Sequence, residues 1–349
     1  MASAVGLQTH IWNNNAKSVM LLVGYPLLLI LMLFAFFAFL GGVTGQPYDG
    51  TQISRMNSGL NGVRLYWHWA VGLATAWFLI AWMFHQSMIN RSTGARPATR
   101  AEYPDLYNSL ENLCISRGLT MPQLYIIDNP ALNAYASGLS EKSYAITVTT
   151  GLMRSLNREE IEAVLGHELT HIMNRDVRLL VIGVIFAGMI SFFAEMAFRG
   201  MVHGAGRSRG RNAGGVMLVA VIVLAVGYLF SLVIRMAISR RREYLADAGA
   251  VELTRNPDAM VSALRRISGN SKIEGAPAEI QQMFIENPPA FAGLFSTHPP
   301  IESRIDALVR YAGAQDLPLS APEAELPPQV QHQQKGPWGA LRRRGPWGG

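Results

Sequence analysis

The sequence predicts a mainly helical α+β chain, in which four transmembrane helices carry a soluble domain with a small β-sheet. Two observations predict that fold class. Apolar residues make up half of the 349, and they gather into runs of membrane length instead of spreading evenly. Between and after those runs, helical periodicity mixes with short β-rich segments.

The first run, Val19 to Leu40, carries no charge. Its apolar core is longer than that of a signal peptide, and the eighteen residues before it hold Lys17 as their only Lys or Arg, so an uncleaved anchor is expected. Leu65 to Phe84 is also uncharged and holds Trp67, Trp69, Trp77 and Trp82. Both runs reach the ~20 residues that cross a bilayer as a helix. A third run, Leu179 to Phe198, is interrupted by Glu195, and a fourth, Val216 to Ile234, ends at Arg235. The third also fits a long buried core helix, because its uncharged stretch falls short of a usual span.

These runs divide the chain. Residues 1–90 hold an N-terminal tail and the spans 19–40 and 65–84, and 91–178 form the first part of the soluble domain. Residues 179–235 hold the spans 179–198 and 216–234 with a Gly/Arg-rich loop between them. Residues 236–315 complete the soluble domain, and 316–349 are a Pro/Gln/Gly/Arg tail. That tail writes Gly-Pro-Trp-Gly twice, from Gly336 and from Gly345; its composition cannot bury a core, so disorder is expected.

Within the first part, Glu102 to Arg117 puts Leu106, Leu110, Leu113 and Cys114 at helical spacing before Gly118, a stop signal. Leu124 to Ile127 and Tyr144 to Thr149 are β-rich. Between them, Asn133 to Gly138 reads either as a short edge strand or as a hairpin turn. Asn157 can cap a helix with Glu160 three residues on, and Ile161, Val164, Leu165 and Leu169 form its apolar stripe. In the second part, Arg240 to Leu253 and Pro257 to Ser268 read as helices, the latter opened by Asn256 and a proline at the first helical position.

A net charge of +6 raises the question of nucleic acid, but no nucleic-acid motif is present. Arg207, Arg209 and Arg211 sit in the Gly-rich loop and Arg342, Arg343 and Arg344 in the tail; in a membrane chain such excess marks cytoplasmic loops and anionic lipid. Ten Lys and Arg flank the spans on the side of the soluble domain, from Lys17 to Arg242, against six on the other side, from Arg55 to Arg211. The soluble domain is therefore expected in the cytoplasm. The single cysteine, Cys114, excludes an intramolecular disulfide and reads as a small core residue.

The capped helix carries His167-Glu168-Leu169-Thr170-His171. Two histidines four apart stand about 40° from each other around a helix, so both imidazoles reach one metal ion, and the glutamate between them is the expected base. A hydrolytic zinc site keeps three protein ligands and leaves the fourth position to water. Glu243, on a polar segment beyond the fourth run, fits as the third. His171 precedes the third run by eight residues and Glu243 follows the end of the fourth by nine. Helices continuing from both spans bring the two to one height, roughly 12 to 14 Å from the hydrocarbon edge. Asp247, one turn on, faces the same way and can hold the spare ring N–H of a ligating His. The bland alternative is that both acids balance the neighbouring arginines on a solvated face.

With Asn133-Ala134-Tyr135-Ala136 and Ser296-Thr297-His298-Pro299-Pro300, these residues resemble the membrane-bound zinc metallopeptidases of the HtpX type, which are related to the CAAX prenyl endopeptidases. The resemblance spans about Tyr103 to Tyr311 and the placement of four spans. The residues before the first span, the loop from Gly41 to Arg64 and the tail depart from it. It implies a zincin-like catalytic domain that holds one Zn(2+) per chain through His167, His171 and Glu243, with Asp247 behind them. Glu168 would take a proton from the attacking water and return it to the leaving amine. Asn133 to Ala136 would pair with an extended polypeptide substrate, and His298 either donates to the oxyanion or orders its loop.

The expected partners are polypeptides, membrane or misfolded proteins above all, and the lipid bilayer. The expected place is the plasma (inner) membrane, multi-pass, with the active site facing the cytoplasm. Prenyl-protein processing is the rival substrate class, although four spans are few for the chamber it needs. A non-catalytic zinc-braced scaffold is the rival from another class, although structural zinc is usually closed by four ligands, commonly with Cys. An intramembrane protease is disfavoured because Arg158, Glu159, Glu160, Arg175 and Asp176 flank the metal helix, charges too costly for the bilayer centre.

Overall fold

The computed structural model describes residues 52–185 and 241–316, apart from 274–275, 277, 282 and 287–297, together with scattered positions from 16 to 34. Most of the first expected span lies outside the described residues, as do 186–198 of the third, the whole of the fourth, the loop between them and the tail. The described part belongs to one unit, Met1–Leu319.

Helix α1 (Gln52–Thr93) runs for 42 residues, about 63 Å, roughly twice the thickness of a bilayer's hydrocarbon core. Its portion Gly59–Thr93 is long and apolar enough to cross a membrane. Large apolar side chains point outward, with Trp69 and Met83 each 71% exposed, while Ala74, Ala81, His85 and Ile89 make the narrow buried face. The helix extends well beyond the expected 65–84. Residues 52–64, expected as loop, are helical because no proline interrupts them, and Gly59 and Gly62 weaken a helix without breaking it. Gly94, at φ 72°, ends it, and the Ala95 N–H closes the last turn on Asn90 O at 2.9 Å.

Four strands follow among the described residues: β1 (Arg96–Pro97), β2 (Gln123–Ile127), β3 (Ala134–Ser137) and β4 (Ala145–Thr149). Their order is β1-β2-β4-β3, with β2 and β4 parallel and the other pairs antiparallel. β1 was not legible from two residues, and its proline, which cannot donate to a ladder, suits the edge it occupies. β3 takes the other edge, so the stretch Asn133 to Gly138 holds a strand, Ala134–Ser137, and not a hairpin turn.

Helix α2 (Pro104–Arg117) starts two residues later than expected, because Pro104 takes the first helical position, and Gly118 stops it in the left-handed conformation. A short α3 (Thr150–Ser155) continues from β4, capped by Thr149 Oγ1. Helix α4 (Arg158–Met173) opens with the full capping box, Asn157 accepting from the Glu160 N–H and Glu160 accepting from the Asn157 N–H. The chain is helical again over 176–185. There Val181, Ile182 and Ile185 are buried in the core formed by the sheet, α2 and α4, and Trp77 of α1 donates to Ile185 O at 3.4 Å. The start of the third run is thus packed inside protein.

Helices α5 (Arg241–Thr254), α6 (Pro257–Ile267), α7 (Ala278–Gln281) and α8 (Ile301–Ala312) complete the described fold. Asn256 caps α6 by accepting from the Ala259 N–H. α8 was not anticipated: Ile301, Ile305 and Leu308, at helical spacing, close over Met260, Val261 and Leu264 of α6 in a second core. α5 lies along α4, and small residues set that approach. A Cβ at Gly249 would fall 2.4 Å from the Thr170 methyl, and one at Gly166 would meet Ala250 Cα at 3.4 Å.

Candidate metal centre

The close approach of α4 and α5 brings together the three side chains singled out as ligands. His167 and His171 stand on one face of α4 with their Nε2 atoms 3.2 Å apart. Glu243, in the first turn of α5, puts its Oε2 3.7 Å from the His167 nitrogen and its Oε1 3.7 Å from that of His171. All three are buried, and one ligand atom from each lies within 4.8 Å of the others. Two nitrogens bound tetrahedrally to one zinc stand about 3.3 Å apart, so the histidine spacing fits such an ion.

The outer nitrogens are held as well. His167 Nδ1 lies 2.9 Å from Asp247 Oδ1, and His171 Nδ1 lies 3.1 Å from Asp176 Oδ2. A carboxylate on each Nδ1–H leaves each Nε2 lone pair directed at the shared point, which is how proteins orient histidine for a metal. Asp176, five residues beyond His171, escaped the sequence reading, where it counted only as a flanking charge. Arg304 of α8 escaped it too. It clasps Asp247 through Nε at 2.8 Å and Nη2 at 2.5 Å. An arginine in the buried stripe of Ile301, Ile305 and Leu308 is the signal that marks it.

Burial and these partners set the electrostatics of the metal-free chain. Burial pushes His167 down to about 4, against the raising pull of Asp247. Burial lowers His171 as well, but its bond to Asp176 and the nearby Glu243 charge carry it up to about 8. Burial raises Glu243 and Asp247, yet His298 and His171 hold Glu243 well below the carboxylate range, and Arg304 turns Asp247 to the lower side of its ordinary value. Glu168, 2% exposed, is pushed up to about 7 by burial and by Glu243. A carboxyl near neutrality both accepts and returns a proton.

His298 Nδ1 sits 3.0 Å from Glu243 Oε2, and the residue lines the same cavity as Ala136, His167, Glu168 and His171. Ala136 belongs to β3, and its N–H donates to Glu168. Asn133 is buried at the start of that strand, where its side chain accepts from Ala134 N–H at 2.9 Å and donates to Ser271 O at 2.6 Å. Tyr135 points the other way, its hydroxyl 3.1 Å from Thr93 Oγ1 of α1.

Peptidase family M48 matches residues 100–312. A Protease HtpX homolog of Bacteroides fragilis is 42% identical over 320 residues, 88% of this chain and 99% of that one. The chain belongs to peptidase family M48. A Protease HtpX homolog of Ligilactobacillus salivarius is 36% identical over 310 residues, 86% of this chain and 99% of that one. Among solved structures, S. mikatae Ste24p matches with a TM-score of 0.45 at 20% identity, covering 85% of this chain and 66% of that chain. M48 membership of the HtpX type makes the chain a membrane-bound metalloprotease acting on polypeptides. Its buried His167, His171 and Glu243 are a cluster able to hold the metal ion.

Proposed function

We propose that this chain is a zinc endopeptidase of the plasma (inner) membrane that cleaves membrane or misfolded proteins at the cytoplasmic face. The observation that carries the reading is one buried cavity shared by the His167, His171 and Glu243 donors, by Glu168 and by edge strand β3. Two imidazoles and a carboxylate are the donor set of a hydrolytic zinc site, and one ion per chain is their capacity. Zinc there supplies a Lewis acid for the scissile carbonyl and for the attacking water. Glu168 takes the proton of that water and hands it to the leaving amine. Asp247 and Asp176 fix the two ring tautomers, and β3 offers backbone groups to an extended substrate, which gives weak sequence preference. His298, beside Glu243, is a candidate donor to the developing oxyanion. Four spans hold the domain at the bilayer, and the ten-to-six Lys and Arg balance supports the cytoplasmic orientation.

The test is Glu168→Gln in detergent-purified protein, with casein as substrate and zinc measured on the same sample. Zinc should stay and cleavage should vanish; retained cleavage would overturn the mechanism. Stoichiometric zinc in a wild type that cleaves nothing would favour the scaffold reading instead.

A further inference from the structure

The outward-facing apolar pattern of α1 ends at Met88. Over its last turns the helix sets His85, Ile89 and Thr93 inward, a stripe at i, i+4 and i+8, with Gln86 and Asn90 beside it. Two of these residues reach the edge strand β3. Ser137 Oγ donates to Gln86 Oε1 at 3.0 Å, and Gln86 Nε2 in turn donates to Asn90 Oδ1 at 2.9 Å. Thr93 Oγ1 gives its one hydrogen to Ile89 O at 2.9 Å, so the Tyr135 hydroxyl, 3.1 Å away, is the donor to it. Thr93, Tyr135 and Ser137 are all buried, where a hydrogen bond left unmade is costly.

A four-residue edge strand needs such support. β3 pairs with β4 on one side, and on the other the Ile285 N–H meets Ala134 O at 3.1 Å. Both contacts run in the plane of the sheet and leave the strand free to tilt out of it. Side chains stand perpendicular to that plane and alternate in direction, so Tyr135 and Ser137 reach α1 on one face while Ala134 and Ala136 take the other. Ala136 lines the metal cavity with His167, Glu168 and His171, and its N–H donates to Glu168. Methyl groups pack without direction, whereas hydrogen bonds fix distance and angle. The two bonds to α1 therefore set the height and tilt of β3 beside the metal helix.

We propose that Gln86 and Thr93 of the membrane helix are positioning residues for peptide hydrolysis: through Ser137 and Tyr135 they hold β3 where its Ala136 N–H meets Glu168. The proposal rests on the reading of β3 as the substrate edge and of Glu168 as the acid–base group. A peptide paired with β3 moves with the strand, so binding survives a tilt, while the alignment of its scissile bond with Glu168 is lost. Misplacement by about an ångström can cost about 10²-fold in rate. The loss falls on kcat and leaves KM nearly unchanged. The site is thus built onto the span itself, and α1 does more than tether the domain to the bilayer.

The experiment uses the full-length protein in detergent, an extended fluorogenic peptide, a thermal melt and metal content measured on every sample. Tyr135→Phe keeps the ring, on which Phe284 lies with centroids 5.6 Å apart, and removes only the donor to Thr93. It should lower kcat about tenfold at unchanged KM and zinc content, and together with Ser137→Ala about a hundredfold. Thr93→Val should lower kcat too, and adding it to Tyr135→Phe should lower it no further, because both break one bond. Thr93→Ser keeps the hydroxyl and should restore the wild-type rate. Tyr135→Phe alone decides the matter where the double variants do not fold. A melt that falls while kcat holds would overturn the proposal, since the bonds would then only stabilise the chain. So would a loss carried by KM alone, or losses in Thr93→Val and Tyr135→Phe that multiply when combined. A wild type inert toward every peptide, or an active Glu168→Gln, would strike the peptidase reading itself, and the same assay tells these failures apart.

Discussion

Helices α1 and α4 invert each other's pattern. Along α1 the large apolar side chains, Leu65, Trp69, Leu73, Ile80 and Met83, lie outside, and the buried face is mostly small, with Ala74 and Ala81. Along α4 the buried set includes Glu160, His167, Glu168, Thr170 and His171. A soluble helix does the opposite of α1, because apolar surface leaves water. A purely structural helix avoids the buried charges of α4, because desolvation penalises them. The exposed apolar face of α1 is stable where lipid covers it, and the buried polar face of α4 where each group has a partner or a metal. Asp176, Asp247, Arg304 and the Ala136 N–H supply those partners.

The contrast can be broken at four places, in falling order of effect. Glu168→Gln removes the proposed acid–base group from α4 and should lower kcat by about 10²- to 10⁴-fold with the fold intact; steady-state cleavage with a thermal melt checks both halves. Asp176→Asn leaves His171 without its carboxylate and should weaken zinc binding by about 10- to 100-fold, read by competition against a chromophoric chelator. Gly249→Ala pushes a methyl into Thr170 at the α4–α5 contact and should cost about 1–3 kcal/mol of stability; an unchanged melt would show that the two helices are not held by that contact. Met83→Ala on the outer face of α1 should change stability by no more than about 0.5 kcal/mol. A loss of several kcal/mol there would mean that protein and not lipid covers the face. Cys114 offers a control on the core: burial pushes its thiol up to about 11, so a thiolate-directed reagent should label it only after unfolding.

Much of this is legible in the sequence. The helix of the metal motif announced itself through Asn157 and Glu160, because a capping box is a local pattern of two side chains and two N–H groups. α6 was equally plain in Asn256-Pro257. α8 and β1 were not, because neither carries a strong local signal: α8 is defined by the face it shares with Met260 and Leu264, and β1 by Ile126 across the sheet. The helix that holds the expected span 65–84 runs on from Gln52 to Thr93, since hydropathy marks where lipid is tolerated and not where a helix stops. Gly94 marks that.

The sequence by itself determined the kind of site: the five residues from His167 to His171 place two imidazoles and a carboxyl on one stretch of helix, and helical geometry alone turns both rings the same way. It also named Glu243 and Asp247 as companions from their place after a span. Only the tertiary structure decided which carboxylate serves which ring, with Asp176 on His171 and Asp247 on His167. It alone brought Arg304, 137 residues from His167, behind the site, and set Ile285 against the free edge of β3. The physical reason is range. Caps and periodicity act within a few residues of one chain segment, whereas the charge balance of a buried site depends on segments that meet only when the core closes.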